Sequence, residues 1–222
     1  IHKIVPNSFK FFERKAYEHY EFISSVESET SINELKKITE DSLLYDVNEI
    51  GSIILENDSI LTYSFKKSGL LFQKITKNLK SKYEYRNKEI YEFSRKIFQT
   101  ENHLNKYSPL KTNYGTIIEN ILILSKNKQS LEKIILNYNN NSTLNKSSNF
   151  NNTYNNIPEK SNQLNIYNLD FFQPKLFEEI KLKKEDYPFW ISHLSLDGDF
   201  VYKTQSITKK EKESNAIGPK II

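Results

Sequence analysis

The feature that most constrains this chain is a long stretch without proline. No proline occurs between Pro6 and Pro109, and only Gly51 and Gly69 interrupt that stretch. Proline and glycine are the residues that most readily end a helix, and apolar residues recur here three or four positions apart. The stretch therefore predicts long helices that pack along their lengths. Long helices are typical of scaffolds, so the pattern favours a structural role.

Composition adds little about chemistry. Apolar residues make up 37% of the 222 residues, so much of the chain must be solvated or must contact a partner. The net charge of +4 is compatible with an anionic partner but does not require one. Only Arg14, Arg86 and Arg95 are arginine, the better ligand for phosphates and bases, which weakens an interpretation as an RNA-binding protein.

The absence of two residue types excludes several classes of site. The chain has no cysteine, which excludes disulfides, cysteine-zinc sites and thiol nucleophiles. It has no methionine and starts at Ile1, which predicts a processed or trimmed chain whose targeting peptide is not visible. The longest apolar run, at residues 121–124, is far too short to cross a bilayer, so we expect no membrane span.

Helical spacing predicts four helices in a domain of residues 1–139, at about 8–26, 32–56, 60–106 and 113–138. Ser31 and Glu34 fit a capping box at the start of the second. The third is very long and resembles a coiled coil, with a seam that includes Leu79, Ile90, Phe93 and Ile97. Whether residues 59–106 form one helix or two is left open.

The predicted long helix implies a partner. A continuous helix over 60–106 would span about 70 Å at about 1.5 Å per residue, more than the rest of the domain could cover. We therefore expect the seam of Leu79, Ile90, Phe93 and Ile97 to bind another protein.

The sequence changes character after the helical domain. Ten of the twenty residues 137–156 are asparagine, so we expect an Asn-rich, low-complexity loop over 140–166. Residues 167–222 are interpreted as a C-terminal arm with an aromatic anchor, a short hairpin and a polar tail. Asp197-Gly198, between alternating apolar residues, predicts the hairpin.

No motif in the sequence predicts a reaction. The four histidines lie far apart, and the acidic run that begins at Asp197 fails as a calcium loop because its twelfth position is Thr208. No glycine-rich phosphate loop, nucleophile elbow or paired-carboxylate motif is present. We therefore expect no catalytic residue, no cofactor and no metal site.

The run from Lys80 to Lys88 mixes aromatic and basic residues. Such a run could contact RNA by stacking and by phosphate contacts. The alternative, a helix with tyrosines on an apolar seam and lysines in water, is favoured.

One C-terminal segment resembles a known family. Residues 185–191, which include Tyr187, Pro188 and Trp190, are followed by Leu194 and Leu196. This segment resembles that of a small protein of the mitochondrial large ribosomal subunit, number fifty-four in that subunit. The resemblance implies a structural ribosome component in mitochondria, with other protein subunits as partners and direct contact with ribosomal RNA left open.

The same residues carry an interpretation that needs no family. Proline fixes an extended backbone and tryptophan can bury a large face, so Tyr187, Pro188 and Trp190 are predicted to anchor the chain in a partner's groove. Outside a mitochondrion, we expect the protein in the cytoplasm.

Together these observations predict a mainly α fold, an extended helical bundle with one very long coiled-coil-like helix and a C-terminal arm with a short β-hairpin. The predicted function is that of a non-catalytic structural subunit of a large assembly. A mitochondrial ribosome is the first candidate for that assembly. The alternative is a helical coiled-coil adaptor or surface-binding protein that acts without RNA.

Overall fold

The fold is built on one large antiparallel sheet. The computed structural model describes residues 1–16, 46–66, 75–94, 113–155, 157, 161–171, 186–197, 200–207 and 209–210. Ten strands within these residues form the sheet: β1 (Phe11–Ala16), β2 (Val47–Ile54), β3 (Ser59–Phe65), β4 (Leu79–Tyr85), β5 (Lys88–Phe93), β6 (Tyr114–Ile118), β7 (Ile121–Ser125), β8 (Gln163–Asn168), β9 (Phe189–Asp197) and β10 (Phe200–Ile207).

Three series of hairpins make up the sheet, whose spatial order is β10-β9-β8-β1-β2-β3-β7-β6-β5-β4. The middle series is β1-β2-β3, and β7 to β4 run back along one side of it. The last series, β8 to β10, joins the other side because β8 pairs with β1, with Phe11 opposite Tyr167. The strands at the two edges are therefore β4 and β10.

Short helices cover one face of the sheet, which we call the helical face. They are α1 (Lys128–Asn139), α2 (Ser148–Tyr154) and two 3-10 turns, His2–Ile4 and Leu144–Lys146. Apolar side chains from these elements and from alternate strand positions form one buried cluster, which includes Phe12, Ile134 and Phe150. A second buried cluster, which includes Tyr63, Phe65 and Phe93, lies on the opposite face.

The prediction of a mainly α fold is wrong, and the helical bundle and the coiled coil are wrong with it. The described parts of the four predicted helices hold β1 in 8–26, β2 in 32–56, β3 to β5 in 60–106, and β6 and β7 in 113–138. Within these parts, the α-helical residues are 75–78 and the end of the last range, in α1. No single long helix or pair of helices occupies the described residues of 59–106.

Burial on both faces explains the error. All five residues of β7 are buried, so the strand reads as a continuous apolar run instead of an alternating one. Its neighbour β3 is nearly as buried. In such strands apolar residues also occur by chance at helical spacing, and the abundant isoleucine, tyrosine and phenylalanine favour a strand.

The turn between β4 and β5 is a second place where the helix prediction is wrong. Arg86 and Asn87 have positive φ angles of 49° and 62°, and they connect the facing residues Tyr85 and Lys88. Two consecutive left-handed residues form the tight turn that matches the twist of a hairpin. This turn lies in the middle of the predicted long helix, and the Lys80–Lys88 run is a hairpin.

The C-terminal predictions fare differently. The hairpin predicted at Asp197 is confirmed, since Asp197 faces Phe200 at the closed end of β9 and β10. It forms an edge of the sheet instead of a separate arm. The Asn-rich segment predicted as a loop contains α2, which begins at its N-cap Ser147. Among the described residues, no helix is long and apolar enough to cross a membrane.

Candidate functional site

The most exposed apolar surface of the described residues lies on edge strand β10. Phe200 is 68% exposed, Tyr202 53%, Val201 44% and Ile207 37%. Lys203 is the only charged residue of this eight-residue strand. We call the outer side of this strand the β10 edge.

The backbone of β10 offers hydrogen-bonding groups to a further strand. The amide of Asn162 donates to the carbonyl of Leu194 (2.9 Å), and the amide of Leu196 donates to Oδ1 of Asn162 (2.7 Å). The even-numbered residues of β9 therefore point their backbone groups toward β8, and the odd-numbered ones toward β10. Because antiparallel pairs alternate, the outward groups of β10 belong to the four odd-numbered residues Val201, Lys203, Gln205 and Ile207.

The opposite edge strand, β4, is protected against such pairing. Its ladder with β5 is interrupted by a bulge between Leu79 and Ser81. Lys80 bonds Glu92 (2.6 Å) and Lys82 bonds Glu89 (2.5 Å), so both lysines hold charge along this edge. Bulges and edge lysines are devices by which proteins prevent strands from pairing edge to edge.

The acidic partners on β5 are held ionised. Hydrogen bonds from Lys80, Ser81 and Tyr83 lower the pKa of Glu92 to about 2. A hydrogen bond from Lys82, followed by one from Tyr91, lowers the pKa of Glu89. Carboxylates of β5 thus hold Lys80 and Lys82 in place along the β4 edge.

A row of large side chains on the face opposite the helices supports the β10 edge. Phe11 faces Tyr167, Tyr167 faces Trp190, and Trp190 faces Ile207 across four neighbouring strands. The ring centroids of Phe11 and Tyr167 are 4.8 Å apart, and those of Tyr167 and Trp190 are 5.2 Å apart. We call Phe11, Tyr167, Trp190 and Ile207 the supporting row.

The predicted anchor residues are all found next to this edge. Trp190 is half-buried in the supporting row, and Tyr187 is half-buried before β9. Pro188 is buried, and its carbonyl accepts a hydrogen bond from the amide of Leu169 (3.0 Å). Their role in binding a partner stays a prediction, but Trp190 packs within its own sheet.

Of the described residues of the predicted seam, Leu79 and Phe93 lie together and Ile90 does not join them. Leu79 lies in β4 and faces Phe93 of β5 on one side of the sheet, whereas Ile90 of β5 belongs to the buried cluster on the helical face. Ile97 lies outside the described residues. Because Leu79, Ile90 and Phe93 occupy two antiparallel strands, they do not form one helical stripe.

A cavity of about 350 Å³ adjoins the β10 edge. Its lining includes Gln163, Asn165, Ser192 and Lys203. The amide group of Gln163 donates to Oε1 of Glu13 and to Oδ1 of Asn165, both at 3.3 Å.

The neighbours Ser192 and His193 do not make a nucleophile and base. Successive residues of a strand point to opposite faces. His193 faces Leu164, which belongs to the core under the helical face, whereas Ser192 faces Asn165 on the other side. Burial lowers the pKa of His193.

A second polar cluster lies near the start of the chain. Arg14 bonds Glu49, and its Nη2 donates to Oγ of Ser161 (2.8 Å). Burial raises the pKa of Glu49, but the Ile1 ammonium and Arg14 outweigh burial, so the pKa is lowered overall. Burial, with the Ile1 ammonium and Arg14, lowers the pKa of His2 to about 4.

A shallow polar basin of about 470 Å³ lies beyond α1. Lys3 and Tyr138 both contact Glu119 there, at 3.8 Å and 2.9 Å. Asn141, Asn145 and Lys146 complete the rim. In the described part of the chain, no three histidine or acidic side chains are placed to hold a metal ion.

The β10 edge is the candidate functional surface that the sequence did not predict. The hairpin itself was recognised, but its position at the edge of a ten-stranded sheet depends on β8 pairing with β1. The one available cue is that Phe200 to Ile207 carries a single charge, in contrast to the lysines of Leu79–Tyr85.

Comparison with known proteins adds no family. No protein-family model matches the chain, and no curated protein matches it. Among solved structures, crystal form III of TP0453 is similar at 8% identity and a TM-score of 0.48, over 97% of this chain and 82% of that chain. Crystal form IV of TP0453 is similar at 9% identity and 0.48, over 93% and 79%. At this level of similarity nothing about TP0453 transfers to this chain.

None of these matches bears on the resemblance of residues 185–191 to a mitochondrial ribosomal protein. That resemblance, and the mitochondrial location it implies, stay predictions.

Proposed function

We propose that this chain is a non-catalytic structural subunit that binds protein through the β10 edge by adding a strand to its sheet. In strand addition, backbone hydrogen bonds supply affinity and alternate side chains supply specificity. The observation that carries the proposal is the exposed apolar β10 edge, with outward backbone groups at four positions.

The contrast between the two edges supports this function. An unprotected long edge strand invites aggregation, and β4 carries a bulge and paired lysines that prevent it. Strand β10 has eight residues, a single lysine and three large apolar side chains that are more than 40% exposed. A sheet that blunts one edge and leaves the other apolar fits a protein whose β10 edge is covered in its assembly.

The polar sites of the described residues support a non-catalytic role. Arg14 is paired with Glu49, and Lys15 lies 3.4 Å from Glu13. Each is an ion pair held within the sheet, as expected of groups that stabilise a fold. The cavity beside β10 would then lie next to the interface. Water or a polar side chain of the partner would be able to enter this cavity.

The experiment is site-specific photocrosslinking of the full chain in its own cells. A benzoylphenylalanine replaces Tyr202 on β10 or, as the matched control, Tyr83 on β4, since both are exposed tyrosines of edge strands. We expect a discrete protein adduct from position 202 and none from position 83.

A proline variant tests whether the adduct depends on strand pairing. Gln205→Pro removes one outward amide of β10 without removing an amide bonded to β9. We expect the position-202 adduct to disappear in Gln205→Pro and to persist in Gln205→Ala. An adduct of equal yield at positions 202 and 83, or one indifferent to Gln205→Pro in a variant with unchanged circular dichroism, would refute the proposal.

A further inference from the structure

We infer that the occupant of the β10 edge is the β10 strand of a second copy of this chain, paired antiparallel about a twofold axis at Thr204. This inference rests on the proposed function and names its partner. The two sheets would then continue into each other.

The outward backbone groups restrict the possible registers. Only the odd-numbered residues of β10 can exchange hydrogen bonds with an added strand. In a symmetric antiparallel pair each such residue must face another odd-numbered residue of the second copy. Two central registers satisfy this condition. In one, Lys203 faces Lys203 of the second copy, and in the other, Thr204 faces Thr204 of the second copy.

Charge selects between these two registers. With Lys203 opposite Lys203, two like charges would face each other directly, which destabilises a strand pair. With Thr204 at the axis, Lys203 faces Gln205, which is neutral. Facing threonines are a favourable cross-strand pair, and Thr204 occupies a position without backbone bonds to the partner.

The side chains also match in the Thr204 register. Val201 faces Ile207 of the other copy on the face opposite the helices, and the pair occurs twice by symmetry. Val201 is 44% exposed and Ile207 37%, so each covers apolar surface of the other. Since Ile207 ends the supporting row, the row would extend into the second copy. On the helical face, Tyr202 would face Ser206.

The hydrogen-bonded pairs give the interface its strength. Lys203 and Gln205 of opposite copies exchange two backbone bonds, and symmetry provides this pair twice. Val201 and Ile207 do the same at the ends of the strand. A single strand pair is a small interface, so we expect a dimer that dissociates on dilution.

The chain's lack of cysteine allows a direct test of the register. In the Thr204 register the two Thr204 Cα atoms lie about 4.5 Å apart, within the range of about 4.4–6.8 Å that a disulfide spans. The two Tyr202 positions are offset by four residues, or roughly 13 Å, which is too far. Purified Thr204→Cys should therefore form a covalent dimer under mild oxidation, and Tyr202→Cys should not.

Sedimentation of the purified full chain tests the association itself. We expect the wild type and Gln205→Ala to shift from monomer to dimer as concentration rises. Gln205→Pro removes two symmetric backbone hydrogen bonds and should raise the dissociation constant of the dimer at least tenfold. This variant should therefore remain mostly monomeric over the same range of protein concentrations. If Gln205→Pro unfolds, Lys203→Pro removes another outward amide and takes its place.

The outcomes separate this inference from the proposed function. If the purified chain stays monomeric, the second copy is not the partner. If Lys203→Cys forms the covalent dimer and Thr204→Cys does not, the Thr204 register is wrong. If the position-202 adduct in cells then contains a different protein and still depends on Gln205, strand addition at β10 stands with another partner. If the adduct ignores Gln205→Pro, both proposals fall.

Discussion

Single residues determine where this chain turns and how closely its strands approach. Arg86, Asn87 and Glu119 adopt positive φ angles at hairpin turns without a glycine. Turns without glycine are hard to predict from a sequence, whereas Asp197 followed by glycine is a typical hairpin signal. The β9–β10 hairpin was therefore predictable from its turn, and the β4–β5 hairpin was not.

Gly51 tests the importance of close strand approach. A Cβ added at Gly51 would lie 2.7 Å from Oγ1 of Thr62 and 2.8 Å from the carbonyl oxygen of Glu13. The backbone on β1 cannot move aside without disturbing the ladder, so Gly51→Ala should lower the free energy of unfolding by about 1–3 kcal/mol. Urea unfolding followed by circular dichroism measures the change.

The neighbouring Ser52 provides the control for Gly51. Its hydroxyl is buried without a hydrogen-bond partner among the described residues. Ser52→Ala removes that hydroxyl and should be neutral or slightly stabilising. A Gly51→Ala variant as stable as Ser52→Ala would contradict the close packing of β1, β2 and β3.

Among the elements, central and edge strands differ in how well they could be predicted. The run Ile121-Leu122-Ile123-Leu124 is apolar throughout because β7 is covered on both faces, and it cannot be told from a buried helix by spacing alone. Strand β9 packs Trp190 between Tyr167 and Ile207. The sequence singles out the aromatic segment, but its neighbour Tyr167 comes from β8, a strand that the sequence did not identify.

The supporting row predicts a structural effect for Trp190. Trp190→Ala removes the ring that stacks on Tyr167, so we expect the free energy of unfolding to fall by about 2 kcal/mol, less than for a fully buried tryptophan. Thermal unfolding by circular dichroism measures the loss, because the variant has no tryptophan fluorescence. Trp190→Phe, which keeps a ring, should recover most of it.

Trp190 also separates support from anchoring. If Trp190→Ala kept full stability but lost association with its partner, the ring would bind the partner directly, as the sequence predicted for Tyr187, Pro188 and Trp190.

At the scale of the whole molecule, the fold depends on pairings between distant parts of the chain. Strand β1 pairs with β8, and β3 pairs with β7 across three intervening strands. Local patterns contain no information about such pairings, which is why the ten-stranded sheet could not be predicted even where a hairpin was. The β10 edge is a product of this order, so its exposure was equally hidden.

We expect the burial of His2 between the start of the chain and α2 to make the stability of the fold sensitive to acid. The ring centroid of His2 lies 6.3 Å from that of Phe150 and 5.6 Å from that of Tyr154. Its folded pKa of about 4 lies below the ordinary value of 6.5. The unfolded chain therefore takes up the proton first, and stability that is complete above pH 6.5 is lost as the pH falls toward 4.

The measurement compares melting temperatures at pH 7.5 and pH 5 for the wild type and His2→Gln. We expect a smaller drop in His2→Gln, because glutamine does not titrate. Glu49 also has a lowered pKa, but its ordinary value of 4.5 places its effect below this interval. His193 titrates in both proteins and cancels in the comparison. Equal drops would mean that the His2 ring is protonated as readily in the folded state as in the unfolded one.

The central position of β1 has a consequence for synthesis. Phe11–Ala16 leaves the ribosome well before its partner on one side, Gln163–Asn168, which follows roughly 150 residues later. At about 5–20 residues per second, one side of β1 waits on the order of ten seconds or more for its strand. During that time the nascent chain displays an unpaired strand edge in the middle of its future sheet. Slower translation would lengthen this interval and increase the dependence of the chain on chaperones.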